Sequence, residues 1–198
     1  MPILDYSYDD PIGYEGQLYG ANDILIDSGL NVTGLSSLSS TQLQQLRSGE
    51  YEPVYLSLQS SGSWLVYGRG VQAAYLGSSP DPSQDPSYVL ASATTRPIVG
   101  VAVLMHQYER VGPRELNGVP PLKQFGVLKR GDVVVYSETP ARKFDPVFCR
   151  VGTGNNPRGR WRNGAVEDET LPVPGAYYLQ SITQPGLVVI RFNFVATN

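Results

Sequence analysis

The chain has 198 residues, of which 41% are hydrophobic and 17% charged, so it holds enough apolar material for one domain with or without an arm. Its 21 glycines and 16 prolines disfavour long helices and favour short strands joined by turns. One cysteine and one histidine exclude a disulfide framework and a cysteine-based zinc site. No apolar run reaches the length of a membrane span, and no signal peptide is visible. The composition predicts a soluble, β-rich protein that is poorly equipped for catalysis.

The charges are unevenly distributed, although the net formal charge is only −3. Residues 1–100 carry ten acids and three bases, whereas residues 107–162 carry eleven bases and five acids. Most of the bases are arginines, which suit fixed, bidentate contacts with carboxylates. Two interpretations stay open. The charges are either an ordinary solvated surface or the means by which the acidic face of one copy meets the basic face of another.

The N-terminal part is predicted to be an extended arm over residues 1–35, followed by a single β-rich domain over residues 36–198. No helical or two-residue period persists in the arm. Tyrosines are common at interfaces because they bury a large area and keep a polar tip. Packing of this segment over its own domain is the alternative. The arm tyrosines that we expect at an interface are Tyr6, Tyr8, Tyr14 and Tyr19.

One short helix is predicted over residues 39–47. Ser39 and Gln42 have the spacing of a capping box, and they precede Leu43 and Leu46. About two turns is the most that this pattern supports.

About ten short strands are predicted after this helix, separated by glycine- and serine-rich turns. One pair is expected to be a hairpin, with strands at 127–128 and 133–136 around a turn at 129–132. Repeated short strands of this kind are typical of a compact β-barrel or sandwich, so the predicted class is all-β. The remaining predicted strands are residues 54–58, 64–67, 71–75, 98–106, 146–151, 177–182 and 187–194.

Catalytic and cofactor motifs are not found in the sequence. It contains no nucleophile elbow, zinc-protease helix or phosphate-binding loop. His106 ends an apolar run, and Cys149 lies in a strand pattern, so both are interpreted as structural residues. The pairs of acidic residues are better interpreted as parts of solvated turns than as calcium sites. We therefore predict a protein that is not an enzyme and has no cofactor and no metal.

The most unusual short segment is Arg158-Gly159-Arg160-Trp161-Arg162. Three guanidinium groups around one indole could bind an acidic protein surface, form a plain hairpin, or bind nucleic acid. The net charge and a pI of about 5.1 argue against a dedicated nucleic-acid-binding protein. Arg158, Arg160, Trp161 and Arg162 are therefore candidate residues of a protein interface.

Seven segments, in this order, carry a family resemblance: PIGYEGQL (11–18), VGVAV (99–103), FGVLKRGDVVV (125–135), DPVFCRV (145–151), GRWRN (159–163), PGAYYL (174–179) and GLVVI (186–190). Together they resemble the structural cement (head-decoration) proteins of tailed bacteriophages. Phe144 is a departure, since it stands where the family commonly has a glycine before Asp-Pro.

The resemblance implies a non-enzymatic virion protein, made in the host cytoplasm, that binds the outer surface of an icosahedral capsid. It would clamp neighbouring major capsid proteins and associate with itself, as a trimer rather than a dimer. Neither a membrane nor nucleic acid is an expected direct partner. The alternative is a lectin-like, carbohydrate-binding β-sandwich, in which Trp64, Trp161 and tyrosine rings would stack on sugars.

Overall fold

The fold is known from a computed structural model that describes residues 15–20, 23–33, 38–48, 64–74, 87–103, 118–152 and 158–194. These residues contain one helix and eleven strands, which confirms the predicted all-β class. The predicted strand at 54–58 lies outside the described residues. The elements are β1 (Leu25–Asn31), α1 (Ser40–Ser48), β2 (Leu65–Val66), β3 (Gly70–Ala74), β4 (Ser87–Leu90), β5 (Gly100–Val103), β6 (Gly118–Val119), β7 (Gln124–Ser137), β8 (Pro146–Arg150), β9 (Trp161–Arg162), β10 (Thr170–Tyr178) and β11 (Gly186–Asn193).

The helix begins with the predicted capping box. The main-chain N–H of Gln42 donates to Ser39 Oγ at 3.3 Å, and the main-chain N–H of Ser39 donates to Gln42 Oε1 at 2.9 Å. The two side chains thus satisfy main-chain donors that the first turn of a helix leaves unpaired. This explains why the helix begins at Ser40.

The predicted hairpin at 127–136 is wrong, because these residues belong to one strand of 14 residues, β7. Its first half pairs with β1 from Gln124 to Arg130, and its second half pairs with β11 from Arg130 to Ser137. Gly131 takes a φ of 133° that side chains disfavour, and it lets the strand continue where a turn was expected. Pairing with distant strands satisfies the main-chain groups of the Lys-Arg-Gly-Asp segment without a turn.

Strand β7 is shared by two closed circuits of strands. Hydrogen bonding follows the order β1-β4-β3-β5-β7-β11-β10-β8-β9, and two further pairings join β1 to β7 and β7 to β9. Each circuit therefore contains five strands, and β7 is the member common to both. Closure gives a strand neighbours on both sides and so covers edges that could pair with another chain. A separate small sheet pairs β2 with β6.

Strands β5 and β7 are buried on both faces. Val101, Val103 and Leu128 belong to the larger apolar cluster, whereas the intervening Ala102 and the preceding Val127 belong to a second one. A strand with two buried faces has a continuous apolar sequence rather than an alternating one. This is why residues 98–103 are almost entirely apolar.

Gln72 is the polar side chain on which the loop after β4 depends. It is fully buried, and its Nε2 donates to the main-chain oxygens of Ala93 at 2.7 Å and Arg96 at 2.6 Å. Its Oε1 accepts the main-chain N–H groups of Ser92 and Ala93 at 3.0 and 3.1 Å. All four bonds of the amide are therefore used to fix residues 92–96.

We expect Gln72→Leu to destabilise the protein by roughly 2 kcal/mol or more, because it leaves main-chain donors and acceptors without their buried partner. Urea unfolding followed by circular dichroism measures the change as a lower midpoint. Gln184→Leu, at an exposed turn, is the matched control and should leave the midpoint in place. Equal midpoints for the two variants would contradict this role of Gln72.

Candidate functional site

Residues 15–20 lie along β7 and extend the pairing that β1 makes with it. The N–H of Gly16 donates to the oxygen of Val134 at 2.7 Å, and the N–H of Val134 donates to Gln17 at 2.8 Å. Tyr19 N–H reaches Asp132 O at 2.9 Å. Within the predicted arm of residues 1–35, this segment and β1 therefore belong to the sheet.

Two glycines let this segment approach the β2–β3 turn. Gly16 and Gly68 have φ values of 83° and 77°. A Cβ atom on Gly16 would lie 2.5 Å from Tyr67 Cβ, and one on Gly68 would lie 2.3 Å from Glu15 Cγ. Any side chain at either position would separate the two backbones. The N-terminal segment is thus held by direct contact between main chains.

Glu15 and Arg69 form a largely buried ion pair at this contact, with Arg69 Nε 3.3 Å from Glu15 Oε1. Burial raises the pKa of Glu15 above its ordinary value, although the charges of Arg69 and Arg160 and a hydrogen bond from the Tyr136 main chain oppose the change. Burial also lowers the pKa of Arg69. The cost of removing water from both charges therefore exceeds their mutual attraction, and the ion pair contributes little to holding the N-terminal segment in place.

The ring of Trp161 is fully buried, which corrects the expectation that it contacts a partner. Its Nε1 donates to Gly68 O at 2.6 Å, and the ring packs 4.9 Å from the centre of the Phe192 ring. Side chains alternate along a strand, so a buried Trp161 leaves Arg160 and Arg162 on the other side. A lectin site that stacks a sugar on this indole is excluded for the same reason.

The flanking arginines remain at the surface to different degrees. Arg158 is exposed, whereas Arg160 and Arg162 are half-buried. The guanidinium carbon of Arg160 lies 4.5 Å from the centre of the Tyr136 ring, a cation–π contact that holds the side chain in place. Arginines fixed in this way lose less conformational entropy when they bind a carboxylate.

The N-terminal segment and β9 meet at the C-terminal end of β7. The main-chain groups of Asp132 and Val134 point to the edge where residues 16–19 lie, and Glu138 N–H donates to Trp161 O at 2.8 Å on that same edge. Glu15, the first described residue, therefore lies between these two partners of β7, close enough to Arg160 to feel its charge. Tyr6, Tyr8 and Tyr14 lie outside the described residues, and Tyr19 is 38% exposed.

Arg150 forms ion pairs beside β9, and it was not among the residues predicted from the sequence. Its Nε donates to Glu138 Oε2 at 2.7 Å, and its Nη1 donates to Glu169 Oε2. Burial by itself would lower the pKa of Arg150, but these carboxylates raise it above its ordinary value. The pairing of β8 with β9 and β10, together with that of β7 with β9, brings the three side chains together. No signal in the local sequence could have identified the group.

The described residues contain no cluster of three or more His, Cys, Asp or Glu side chains that could hold a metal ion. Cys149 is buried, and burial raises the pKa of its thiol, which disfavours the reactive thiolate. His106 lies outside the described residues. No helix in the described part of the chain is long and apolar enough to cross a membrane.

Burial of Glu15 makes the free energy of unfolding dependent on pH. A carboxyl with a raised pKa binds its proton more tightly in the folded state, so stability falls as the pH rises from about 4.5 through the folded-state pKa. We expect the wild-type free energy of unfolding to fall over this range relative to that of Glu15→Gln. Denaturant unfolding at a series of pH values measures the difference.

The matched control for this measurement is Glu167→Gln, which changes an exposed carboxylate. Its pH profile should run parallel to that of the wild type over the same range. If the profile of Glu15→Gln also runs parallel, Glu15 does not bind its proton more tightly on folding.

Comparison with known proteins agrees with this architecture. The chain aligns over 96% of its length with 97% of a chain in a structure described as "The capsid of Myoviridae Phage XM1", with a TM-score of 0.56 and 15% sequence identity. This likeness shows a shared fold. A search of curated protein sequences gave no significant match.

A family model covers nearly the whole chain. It matches residues 4–193, and its description is "Structural cement protein". The match includes the segment along β7, both circuits of strands and β9. The chain therefore belongs to the phage structural cement protein family.

Proposed function

We propose that this protein is a non-enzymatic capsid cement that binds the outer surface of an icosahedral phage head and clamps neighbouring major capsid proteins. The family match over residues 4–193 is the observation that carries the proposal. The similarity in fold to a chain from a phage capsid supports it. The protein is made in the host cytoplasm and acts in the virion, with no membrane or nucleic acid as a direct partner.

The geometry supports clamping because the chain from residue 16 onward is joined to a closed body. The two circuits of strands form the body, and residues 16–19 are joined to it by main-chain hydrogen bonds. We propose that residues 1–14 reach out from this point. This segment, with Tyr6, Tyr8 and Tyr14, lies across a neighbouring subunit, while the body contacts another. Each contact is modest, and many copies per particle give strong total binding through avidity.

The basic surface near Glu15 is electrostatically complementary to an acidic partner. Arg158, Arg160 and Arg162 contact acidic residues of the capsid or of a sister copy. Charged groups at an interface guide the encounter of two proteins and fix their relative orientation more than they increase affinity. The proposal includes self-association, with a trimer favoured over a dimer. Each oligomer would then carry several N-terminal segments that bind neighbouring subunits.

Deleting residues 1–14 should weaken binding to capsids that lack the protein, because it removes the segment proposed to cross a neighbouring subunit. The boundary is set by the structure, since residues 16–19 pair with β7 and their removal would expose its edge. Co-sedimentation with such capsids measures binding, and circular dichroism checks the fold. Unchanged binding by the folded, shortened protein would overturn this role of the segment.

Replacing Arg158 and Arg162 by Ala together should lower capsid binding and reduce its dependence on salt, because exposed charge contacts are screened by ions. Arg96→Ala, which removes an exposed arginine from the loop after β4, is the control. We expect the double variant to lose at least about fivefold in affinity, roughly 1 kcal/mol, in the same co-sedimentation assay. Equal losses for the control and the double variant would reject a specific role for this segment.

A further inference from the structure

Phe144 has an unusual combination of conformation and exposure. Its φ is +73°, a region in which bulky side chains are rare and glycine is favoured. Its side chain is nevertheless 67% exposed, the largest value among the large hydrophobic residues in the described part of the chain. Neither the local backbone nor the core explains a phenylalanine here. Strained residues of this kind often mark functional sites.

The turn that carries Phe144 is fixed on several sides. The N–H of Phe144 donates to Tyr178 O at 2.8 Å, and the N–H of Lys143 donates to Ser181 Oγ at 2.9 Å. Asp145 closes the turn by accepting the N–H of Arg142 at 2.8 Å. The ring is therefore held in one place, leaning on Tyr177 with 5.7 Å between ring centres. A fixed aromatic ring of this kind is suited to anchor a partner.

This turn is continuous with the proposed interface. Asn163, which directly follows Arg162, donates from Nδ2 to Asp145 Oδ2 at 3.2 Å. The same residue accepts a hydrogen bond from Thr139 Oγ1 at 2.9 Å. The turn, the end of β9 and Glu15 therefore lie near the C-terminal end of β7.

The surroundings of Phe144 are basic. Arg142 and Lys143, which precede Phe144 in the same turn, are exposed, and Lys143 Nζ lies 5.1 Å from the centre of the Phe144 ring. A fitting partner therefore combines apolar or aromatic side chains with carboxylates. Residues 1–14 have this composition: they contain three aspartates, three tyrosines, two isoleucines and a leucine, and no lysine or arginine.

We propose that Phe144, with Arg142 and Lys143, binds residues 1–14 of a second copy of this chain. The inference rests on the proposed function in one respect, since it names the neighbouring subunit that the N-terminal segment crosses. Each copy contains both the acidic segment and the Phe144 turn. In a closed ring, such as the trimer proposed above, the acidic segment of each copy lies on the basic, aromatic turn of the next.

Phe144→Gly tests the proposal because it removes the ring and also relieves the strain at φ +73°. We expect self-association in sedimentation velocity to weaken by at least about tenfold, while Tm falls by no more than about 2 °C. Leu25→Ala, which removes an exposed apolar side chain from β1, is the control and should leave self-association unchanged. Loss of folding in the glycine variant would show that the ring is structural and overturn the proposal.

A mixing experiment identifies the segment that binds the ring. A fluorescently labelled variant that lacks residues 1–14 keeps the Phe144 turn, and Phe144→Gly keeps the segment. Each should be impaired alone, and together they should sediment as a mixed complex that weakens with added salt. Failure to form that complex would overturn the proposal, as would a wild-type protein that stays monomeric because the segment lies on its own chain.

Capsid binding is measured separately, so the two proposals can fail independently. If Phe144→Gly lowers binding to capsids but leaves self-association intact, the ring contacts the capsid and the present inference is wrong. If the wild type self-associates through Phe144 but does not bind capsids, the inference stands and the proposed function is wrong.

Discussion

The rest of the structure depends on the pairing of β7 along both of its edges. Fourteen consecutive residues of this strand meet β1, the segment at 16–19 and β9 on one side, and β5 and β11 on the other. Unpaired main-chain groups in a buried strand would be costly, so each neighbour stabilises the others. The two circuits of strands consequently share one structural element, and disturbance of β7 is transmitted to both.

This constraint also locates the proposed interface. Residues 16–19 and β9 pair with the same edge of β7, so Glu15 lies close to β9. The fastening at that point consists of main-chain contacts at Gly16 and Gly68 and a buried ion pair weakened by lost hydration. This attachment fixes the place from which residues 1–14 are proposed to reach a neighbour.

Several local features could be predicted from the sequence because they depend on neighbouring residues. The capping box of Ser39 and Gln42 is formed as expected, and β2, β3, β5, β8 and β11 lie near predicted strands. Strands β1, β4, β6 and β9 were not predicted. The Lys-Arg-Gly-Asp segment was wrongly predicted to be a turn because its composition is typical of one. The ion-pair partners of this segment come from elsewhere in the chain, since Arg130 pairs with Asp23 and Asp132 pairs with Arg191.

The sequence by itself determined the β-rich class, the single short helix and the family resemblance, since composition and local spacing carry that information. Only the tertiary structure decided that Trp161 is buried, that Arg150 joins Glu138 and Glu169, and that Phe144 is exposed beside β9. These features arise from strand pairing between residues far apart in the chain. Which face of a strand is buried depends on register, and the register is set by partners that local sequence does not identify.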